Sequence, residues 1–145
     1  MIALIQRVKQ AKVVIDGKVF SCIRQGILAL VCVEQSDQTP HFAKMCHKLT
    51  HLRIFEDCEK KMNLALKDID GELLIVPQFT LAGDTQKGLR PSFSNVCPPK
   101  LAEEIFKNFR RYIKNSYAKT AFGRFGADMQ VTLTNDGPVT LWLKT

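Results

Sequence analysis

The sequence predicts an α+β protein with a mainly antiparallel sheet, or partly closed β-barrel, and two helices flanking it. Seven or eight segments have the apolar alternation or the apolar run of a β-strand, and only two have helical spacing. The chain also lacks the regular strand–helix alternation of a parallel α/β fold. Its 145 residues, 46% of them apolar, suit one domain spanning residues 1–145 with a buried core.

The first third of the chain is predicted to form strands joined by tight turns. Apolar residues in Met1–Gln10 fall on both faces of a strand. The dipeptide Asp16-Gly17, between Lys12–Ile15 and Lys18–Ile23, predicts a β-hairpin. The almost unbroken apolar run Ile27–Val33 predicts a strand that is buried on both faces.

Two segments have apolar residues at helical spacing. The first helix is predicted to use Thr39 as its N-cap, with Pro40 in the first helical position. The second begins at Pro99, and its basic residues lie opposite its apolar face: Lys107, Arg110, Arg111 and Lys114. These basic residues suit either a solvated face or contact with phosphates.

Between the two helices, the apolar stretch in Glu72–Phe79 predicts a buried strand. It leads into a long segment, Ala82–Pro99, that is rich in Gly, Pro, Ser and Asn. Segments of this length without regular structure are usually functional or disordered. We therefore expect the end of this strand and the following segment to carry function.

The stretch Asn135–Thr140 lies between two predicted strands, Gln130–Thr134 and Val139–Leu143. Gly137-Pro138 within it excludes an ordinary two-residue hairpin, because proline cannot donate to a strand ladder. The stretch suits either an edge-strand turn with a trans proline or a rigid corner that presents its carbonyls to a ligand.

Composition narrows the class of protein. The formal charge of +7 favours a polyanionic partner such as nucleic acid. The five cysteines are odd in number and include no Cys-x-x-Cys, so neither a disulfide framework nor a zinc site is indicated. We expect no metal and no cofactor. The N-terminus lacks the pattern of a signal peptide, and no apolar run approaches the ~18 residues of a membrane span. We expect a cytoplasmic protein with no membrane partner.

The common catalytic motifs are absent. The sequence has no Gly-x-Ser-x-Gly elbow, no Walker loop and no Gly-x-Gly-x-x-Gly. All three histidines fall on the first predicted helix, so a Ser/His/Asp triad is hard to assemble. Thr80 is a possible nucleophile, but no base is visible to activate it. An enzyme with this sequence is expected to work through main-chain dipoles and positioning.

Ordered motifs along the whole chain resemble one family. They are Met1–Val8, Gln78–Leu81 followed by Asp84–Phe93, Gly123–Met129, and Asn135–Thr140. We call the motif that begins with Gln78–Leu81 the first signature and Asn135–Thr140 the second signature. In this order they resemble the D-aminoacyl-tRNA deacylases, hydrolases that remove D-amino acids from tRNA. The resemblance implies that family's fold and a single domain.

One position departs from the family pattern. The family usually has serine before Gln78, whereas this chain has Pro77, as does a sister family that clears L-alanine mischarged onto a threonine tRNA. Phe79, Val139 and Arg7 are of the D-specific type, so the D-specific assignment is kept. Proline at this position removes a hydroxyl and a backbone N–H, so the local hydrogen bonding is expected to differ.

The resemblance implies catalytic roles for Gln78, Phe79 and Thr80. Backbone N–H groups near Phe79 and Thr80 would hold the developing oxyanion, and Gln78 would order the attacking water. The substrate's own 2′-hydroxyl would assist the reaction, with Thr80 as nucleophile ranked second. Read without the resemblance, Gln78 and Thr80 are strand-end residues bonded to the backbone.

The resemblance also implies how the substrate is bound. Gly137-Pro138 would be cis, would come from the other subunit of a homodimer, and would accept hydrogen bonds from the substrate's α-ammonium group. An L side chain would collide with this corner, whereas a glycyl ester mischarged on an alanine tRNA would be accepted. Arg7 would hold the corner in place; a surface ion pair is the alternative reading of Arg7.

The 3′ end of the aminoacyl-tRNA is expected to meet residues near the first signature. Lys87 and Arg90 are predicted to contact tRNA phosphates. Phe79 and Phe93 are candidates to pack near the terminal adenine, although core packing is the favoured role for Phe93.

Three functions therefore stand as hypotheses. The first is a D-aminoacyl-tRNA deacylase. The second, suggested by Pro77, is a deacylase with the sister specificity for L-alanyl esters. The third, consistent with the charge, is a non-catalytic tRNA-binding module.

Overall fold

A long first strand lies at the centre of the main sheet. The computed structural model describes residues 1–145. Its strands are β1 (Ile2–Ile15), β2 (Lys18–Ile23), β3 (Gly26–Cys32), β4 (Phe55–Glu56), β5 (Met62–Leu64), β6 (Glu72–Pro77), β7 (Thr120–Phe122) and β8 (Gln130–Lys144). Its helices are α1 (Thr39–His51) and α2 (Pro99–Ser116), with a short 3-10 helix at Phe79–Ala82. The numbers of strands and long helices agree with the prediction.

The main sheet is mixed, although antiparallel pairings predominate as predicted. β1 pairs antiparallel with β2 and β3 on one side and with β8 on the other. β3 then pairs parallel with β6, and β6 pairs parallel with β7. These two parallel connections contain α1 and α2, because a parallel pair needs a long crossover between its strands. β4 and β5 form a separate small antiparallel sheet.

Two hydrophobic cores lie on the two faces of this sheet. The larger joins buried side chains of both helices to the sheet, among them Leu49, Phe109, Ile113, Ile27 and Ile75. The smaller lies where β1, β2 and β8 curl over β3 and β6, and it includes Val8, Val13, Leu28, Leu74 and Val76. The curl makes the sheet nearly closed, as the prediction of a partly closed barrel requires. Neither helix is long and apolar enough to cross a membrane.

Two pairs of predicted strand segments are each one strand. Met1–Gln10 and Lys12–Ile15 join as β1, and Gln130–Thr134 and Val139–Leu143 join as β8. β1 and β8 pair with each other along almost their whole lengths. The hydrogen bonds between the two strands therefore keep each strand extended even where its sequence is polar. The prediction of separate segments was wrong because it rested on local sequence alone.

The Gly137-Pro138 stretch is a bulge in an edge strand and reverses no chain direction. The β1–β8 register shifts between Gln6 and Val8 and again between Val8 and Gln10. Gly137 has a φ of +143°, and the peptide bond to Pro138 is cis. β8 pairs only with β1, so proline is tolerated where no second neighbour needs its missing N–H.

Helix α1 has its N-cap one residue before the predicted position. Gln38 is the N-cap: its backbone N–H donates to Nδ1 of His41 over 3.1 Å, and its carbonyl accepts from the backbone N–H of His41 over 2.9 Å. The bond to the His41 side chain is one half of a capping box. Thr39 was predicted because a hydroxyl is a commoner cap than an amide side chain. Pro40 lies in the first turn, as expected.

Candidate active site

The first signature lies where β6 ends and the 3-10 helix begins. The N–H of Gln78 donates to the carbonyl of Val31 on β3 over 2.8 Å. Because successive N–H groups of a strand point to opposite edges, the nitrogen of Pro77 faces the β7 edge. The β6–β7 ladder has already ended there, at Ile75 opposite Phe122. Pro77 therefore removes no bond from the β3 ladder, and the hydrogen bond of Gln78 is kept.

Gln78 and Thr80 are joined directly. Nε2 of Gln78 donates to Oγ1 of Thr80 over 2.5 Å, and Thr80 is exposed. The histidine rings interact elsewhere: His41 bonds to the N-cap of α1, His51 bonds to Thr50 and Lys67, and His47 stacks on His51. The side-chain hydrogen-bond partner of Thr80 is thus an amide and not a base.

The start of the 3-10 helix provides main-chain donors. The first N–H groups of a helix have no acceptor within it, so those of Phe79 and Thr80 have no partner inside this helix. Donors of this kind can stabilise negative charge on a neighbouring oxygen. The turn therefore has the chemistry of an oxyanion site.

Cys32 lies directly behind this turn, a position that no sequence motif indicates. Its Sγ donates to the carbonyl of Phe79 over 3.6 Å. Burial, together with the nearby carboxylate of Glu34, raises the pKa of the Cys32 thiol to about 11. The thiol is therefore protonated near neutral pH and is a poor nucleophile.

An apolar cavity opens beside the turn. Its volume is about 310 Å³, and its lining is Pro77, Phe79, Phe93, Val96, Cys97, Pro99, Ala102, Phe125 and Gly126. The rings of Phe79 and Phe93 meet edge to face with centroids 5.3 Å apart. Phe79 is 55% exposed and Phe93 is 40% exposed. The expectation that Phe93 belongs to the core was wrong, because its ring packs on Phe79 at the cavity rim.

Arg7 is buried beneath the second signature. It is 5% exposed; its Nε donates to the carbonyl of Asp136 and its Nη1 to the carbonyl of Ile54, each over 2.7 Å. Carboxylates of Asp136 and Glu56 lie 3.5 and 3.7 Å from its nitrogens. Arg7 therefore ties the residue before Gly137 to the loop before β4, and it is not the surface ion pair of the alternative reading.

Gly137 and Pro138 themselves are exposed. A Cβ built on Gly137 would lie 2.8 Å from the backbone N of Val139 and 3.3 Å from Nη2 of Arg7. Neither Gly137 nor Pro138 lines the apolar cavity. Within one chain, the predicted site residues thus form two groups: Gln78 with Phe79 and Thr80, and Arg7 with the Gly-Pro corner.

Lys87 and Arg90 lie on a separate loop that follows the 3-10 helix. Paired hydrogen bonds between the backbones of Asp84 and Ser92, both 2.8 Å, close the base of this loop. The Asp84 carboxylate also accepts from the N–H of Gln86. Lys87 and Arg90 are both exposed and form no ion pair.

Comparison with known proteins extends these observations. The family model described as D-Tyr-tRNA(Tyr) deacylase matches residues 4–144. A D-aminoacyl-tRNA deacylase of Francisella tularensis subsp. tularensis (strain WY96-3418) is 56% identical over 144 residues, which cover 99% of each chain. A protein of the same name from Pseudomonas fluorescens (strain SBW25) is 52% identical over 145 residues, which cover both chains fully.

Two solved structures are similar to this chain in fold. One, titled c-Myc DNA Unwinding Element Binding Protein, superposes with a TM-score of 0.93 at 36% identity and covers 100% of this chain and 99% of its own. Another, titled as a probable eukaryotic D-amino acid tRNA deacylase, gives a TM-score of 0.83 at 16% identity over 98% of this chain and 97% of its own. The second shares the fold. The chain therefore belongs to the D-Tyr-tRNA(Tyr) deacylase family, whose curated members named here are hydrolases.

Proposed function

We propose that this protein hydrolyses the ester of D-aminoacyl-tRNA, releases the D-amino acid and the tRNA, and spares L-aminoacyl esters. One observation carries the proposal: the complete signature Gln78–Leu81 forms a base-free turn with main-chain donors beside an exposed apolar cavity. Family membership supplies the ester as substrate class. The cytoplasm, where aminoacyl-tRNA is used, is the expected location.

In the proposed reaction, water adds to the ester carbonyl carbon. The N–H groups of Phe79 and Thr80 stabilise the resulting oxyanion. Gln78 orders the water, and the hydrogen bond from Gln78 Nε2 to Thr80 Oγ1 fixes the Gln78 side chain. The bond between the carbonyl carbon and the ribose 3′-oxygen then breaks, and that oxygen takes a proton.

The proton transfer is assigned to the substrate. The vicinal 2′-hydroxyl of the terminal ribose can accept and return the proton, since the chain places no base beside Thr80. Thr80 as nucleophile is the second candidate, and the absent base argues against it.

The terminal adenosine is proposed to occupy the apolar cavity. Aromatic side chains commonly stack on unpaired bases in RNA recognition. Phe79 and Phe93 present exposed rings at the rim. Phe79 begins the 3-10 helix that precedes the loop holding Lys87 and Arg90, and Phe93 follows that loop directly. This arrangement would bring the two basic side chains near the phosphates of the 3′ end.

Chirality is proposed to be read by the Gly-Pro corner of a second copy. Gly137 and Pro138 are exposed on an edge strand, so they can enter another subunit's site, and Arg7 fixes the carbonyl just before them. Their carbonyls would accept from the α-ammonium group, and a rigid corner would exclude an L side chain. Glycine has no side chain to exclude, so glycyl-tRNA mischarged on an alanine tRNA is an expected substrate.

The sister specificity has one observation in its favour, which is Pro77 itself. Because the missing N–H of Pro77 lies beyond the β7 ladder and Gln78 keeps its bond to Val31, this substitution need not alter the turn. The D-specific reading is therefore preferred.

The test is a deacylation assay with matched substrates. Wild-type protein should hydrolyse D-tyrosyl-tRNA and glycyl-tRNA(Ala) and leave L-tyrosyl-tRNA intact; a Gln78→Ala variant is the negative control. Preferential hydrolysis of L-alanyl-tRNA(Thr) would instead establish the sister specificity. Binding of tRNA without hydrolysis of any ester would indicate a binding module.

A further inference from the structure

A groove on the outer side of α2 contains only hydrogen-bond donors and amides. Its volume is about 370 Å³, and it is lined by Lys107, Asn108, Arg110, Arg111, Lys114 and Asn115. No carboxylate and no apolar side chain takes part in the lining. We call the four basic residues the α2 basic face. Clustered cationic donors without a carboxylate suit phosphate oxygens.

The charges of the α2 basic face are exposed and not neutralised. All four side chains are exposed, and none forms an ion pair, although Lys61, Lys119 and Lys144 elsewhere each have a carboxylate partner. The groove therefore carries a net positive potential that favours an anionic partner.

Contacts with uncharged groups hold two of these side chains, Arg110 and Lys114, in place. The Arg110 guanidinium lies over the Phe122 ring, 4.9 Å from its centroid. Nζ of Lys114 donates to the carbonyls of Ala118 and Thr120 over 2.8 and 3.1 Å. Side chains that are already ordered lose less conformational entropy on binding.

The groove lies on the same helix as the proposed adenosine cavity. Pro99 and Ala102, in the first turn of α2, line that cavity. A helix rises about 1.5 Å per residue, so Lys107 and Lys114 lie about 8 and about 18 Å beyond Ala102 along its axis. Glu103 and Glu104 are exposed on the helix between the cavity and the groove. Their negative charges would repel phosphates and so confine them to the C-terminal half of the helix.

We propose that the α2 basic face binds backbone phosphates of the acceptor arm of the same aminoacyl-tRNA whose 3′ ester occupies the site. This inference rests on the proposed function, because the cavity fixes where the 3′ end lies. Contacts to phosphates carry no base sequence, so the face would serve many tRNAs alike. The α2 basic face would therefore contribute to affinity for tRNA and would not contribute to selection of the amino acid.

The test compares two double variants. Lys107→Gln/Arg111→Gln removes two charges of the face and spares Arg110 and Lys114, which pack on or cap other elements. The control Lys18→Gln/Lys44→Gln removes two exposed charges, one from the start of β2 and one from α1. For both double variants, affinity for deacylated tRNA is measured at several salt concentrations, and steady-state hydrolysis of D-tyrosyl-tRNA is measured as well.

The proposal makes a quantitative prediction for these variants. A plot of log affinity against log salt concentration has a negative slope, and loss of two phosphate contacts should make it shallower by about 1.4–1.8. KM for D-tyrosyl-tRNA should rise on the order of tenfold at 0.1 M salt while kcat is retained, as expected for a contact formed equally in the ground and transition states. The control should change both quantities little.

A minimal substrate separates this proposal from the proposed function. D-tyrosyl-adenosine lacks the acceptor arm, so removing the α2 charges should leave its hydrolysis unaffected. An unchanged salt slope and KM in Lys107→Gln/Arg111→Gln would overturn the α2 proposal, as would weaker binding to a DNA duplex with unchanged KM for tRNA. If wild-type protein hydrolyses neither ester, the proposed function fails, while the salt slope still decides whether α2 contacts tRNA.

Discussion

Arg7 is the residue in which local structure and proposed function meet most closely. Its guanidinium bonds the carbonyls of Asp136 and Ile54, which are 82 positions apart in the chain, and it is almost wholly buried. A buried cation is stable only where several acceptors surround it, and here two carbonyls and two carboxylates do so. The same bonds would hold the Gly-Pro corner rigid.

Arg7→Met should therefore be damaging in two ways. The carbonyls of Asp136 and Ile54 would each lose a donor at a cost of about 1–3 kcal/mol, so the free energy of unfolding should fall by about 2–6 kcal/mol in urea denaturation. The ratio of D- to L-tyrosyl-tRNA hydrolysis should fall as well. Arg53→Met, an exposed arginine nearby, is the matched control. Wild-type stability and discrimination in Arg7→Met would contradict this role.

Thr80 provides a test of which group moves the proton. Because Gln78 is its side-chain partner and no base lies beside it, Thr80→Ala should keep kcat within about tenfold of wild type. Replacing the terminal ribose of the substrate by its 2′-deoxy form should lower kcat far more. Complete loss of activity in Thr80→Ala, with tRNA binding and fold intact, would instead make Thr80 the nucleophile.

At the scale of elements, Glu72 links the start of β6 to the β2–β3 turn. Its carboxylate accepts from the backbone N–H of Arg24 over 2.6 Å and from the Arg24 guanidinium over 3.1 Å. The Arg24 backbone N–H, with the guanidinium beside it, lowers the pKa of Glu72 below its ordinary value. The stabilisation from a depressed carboxyl pKa is present above the unfolded pKa of about 4.3 and is lost as pH falls through the folded pKa.

The stability difference between wild type and Glu72→Gln should follow this pH dependence. Wild type should be the more stable near pH 7, and the difference should shrink as pH falls from about 5 to about 3. Urea midpoints measured across this range provide the test, with the exposed Glu103→Gln as control. A difference that stays constant across the range would show that ionised Glu72 does not stabilise the turn.

The limits of prediction from sequence also appear at the scale of elements. The strands β3 and β6 followed from continuous apolar runs, and the helix α2 followed from apolar residues at helical spacing, because both patterns are local in the sequence. The continuity of β8 did not, since it depends on partners in β1 that are more than 100 residues away. The Gln38 cap of α1 needed the His41 side chain to complete it, which a search for hydroxyl caps overlooks.

The candidate site likewise contains some residues that the sequence predicted and others that it did not. Gln78, Phe79 and Thr80 are neighbours in sequence, so one family motif predicts all three, and the same resemblance predicts the role of Arg7. Cys32, Val96 and Phe125 reach the turn or the cavity only through the parallel β3–β6 pairing and the path of the chain into and out of α2. No pattern near any of them in the sequence indicates this position.

At the scale of the whole molecule, a single chain does not bring the two groups of predicted site residues together in one site. The nearest neighbours of a Cβ on Gly137 are Val139 and Arg7, and neither Gly137 nor Pro138 lines the cavity beside Phe79. Both lie exposed on an edge strand that pairs on one side only. The proposed function joins the groups through a two-fold homodimer, in which each subunit completes the other's site.

Hybrid dimers test this central claim most directly. A chain with Gln78→Ala/Phe79→Ala loses the signature turn, and a chain with Gly137→Ala strains the corner, since its Cβ would lie 2.8 Å from the backbone N of Val139 at a φ of +143°. Each variant alone should fail to hydrolyse D-tyrosyl-tRNA. The hybrid, co-expressed with two different affinity tags and purified through both, should regain about half of the wild-type activity, because one of its two composite sites is intact. A hybrid as inactive as its parents, or no hybrid at all, would contradict a site shared between subunits.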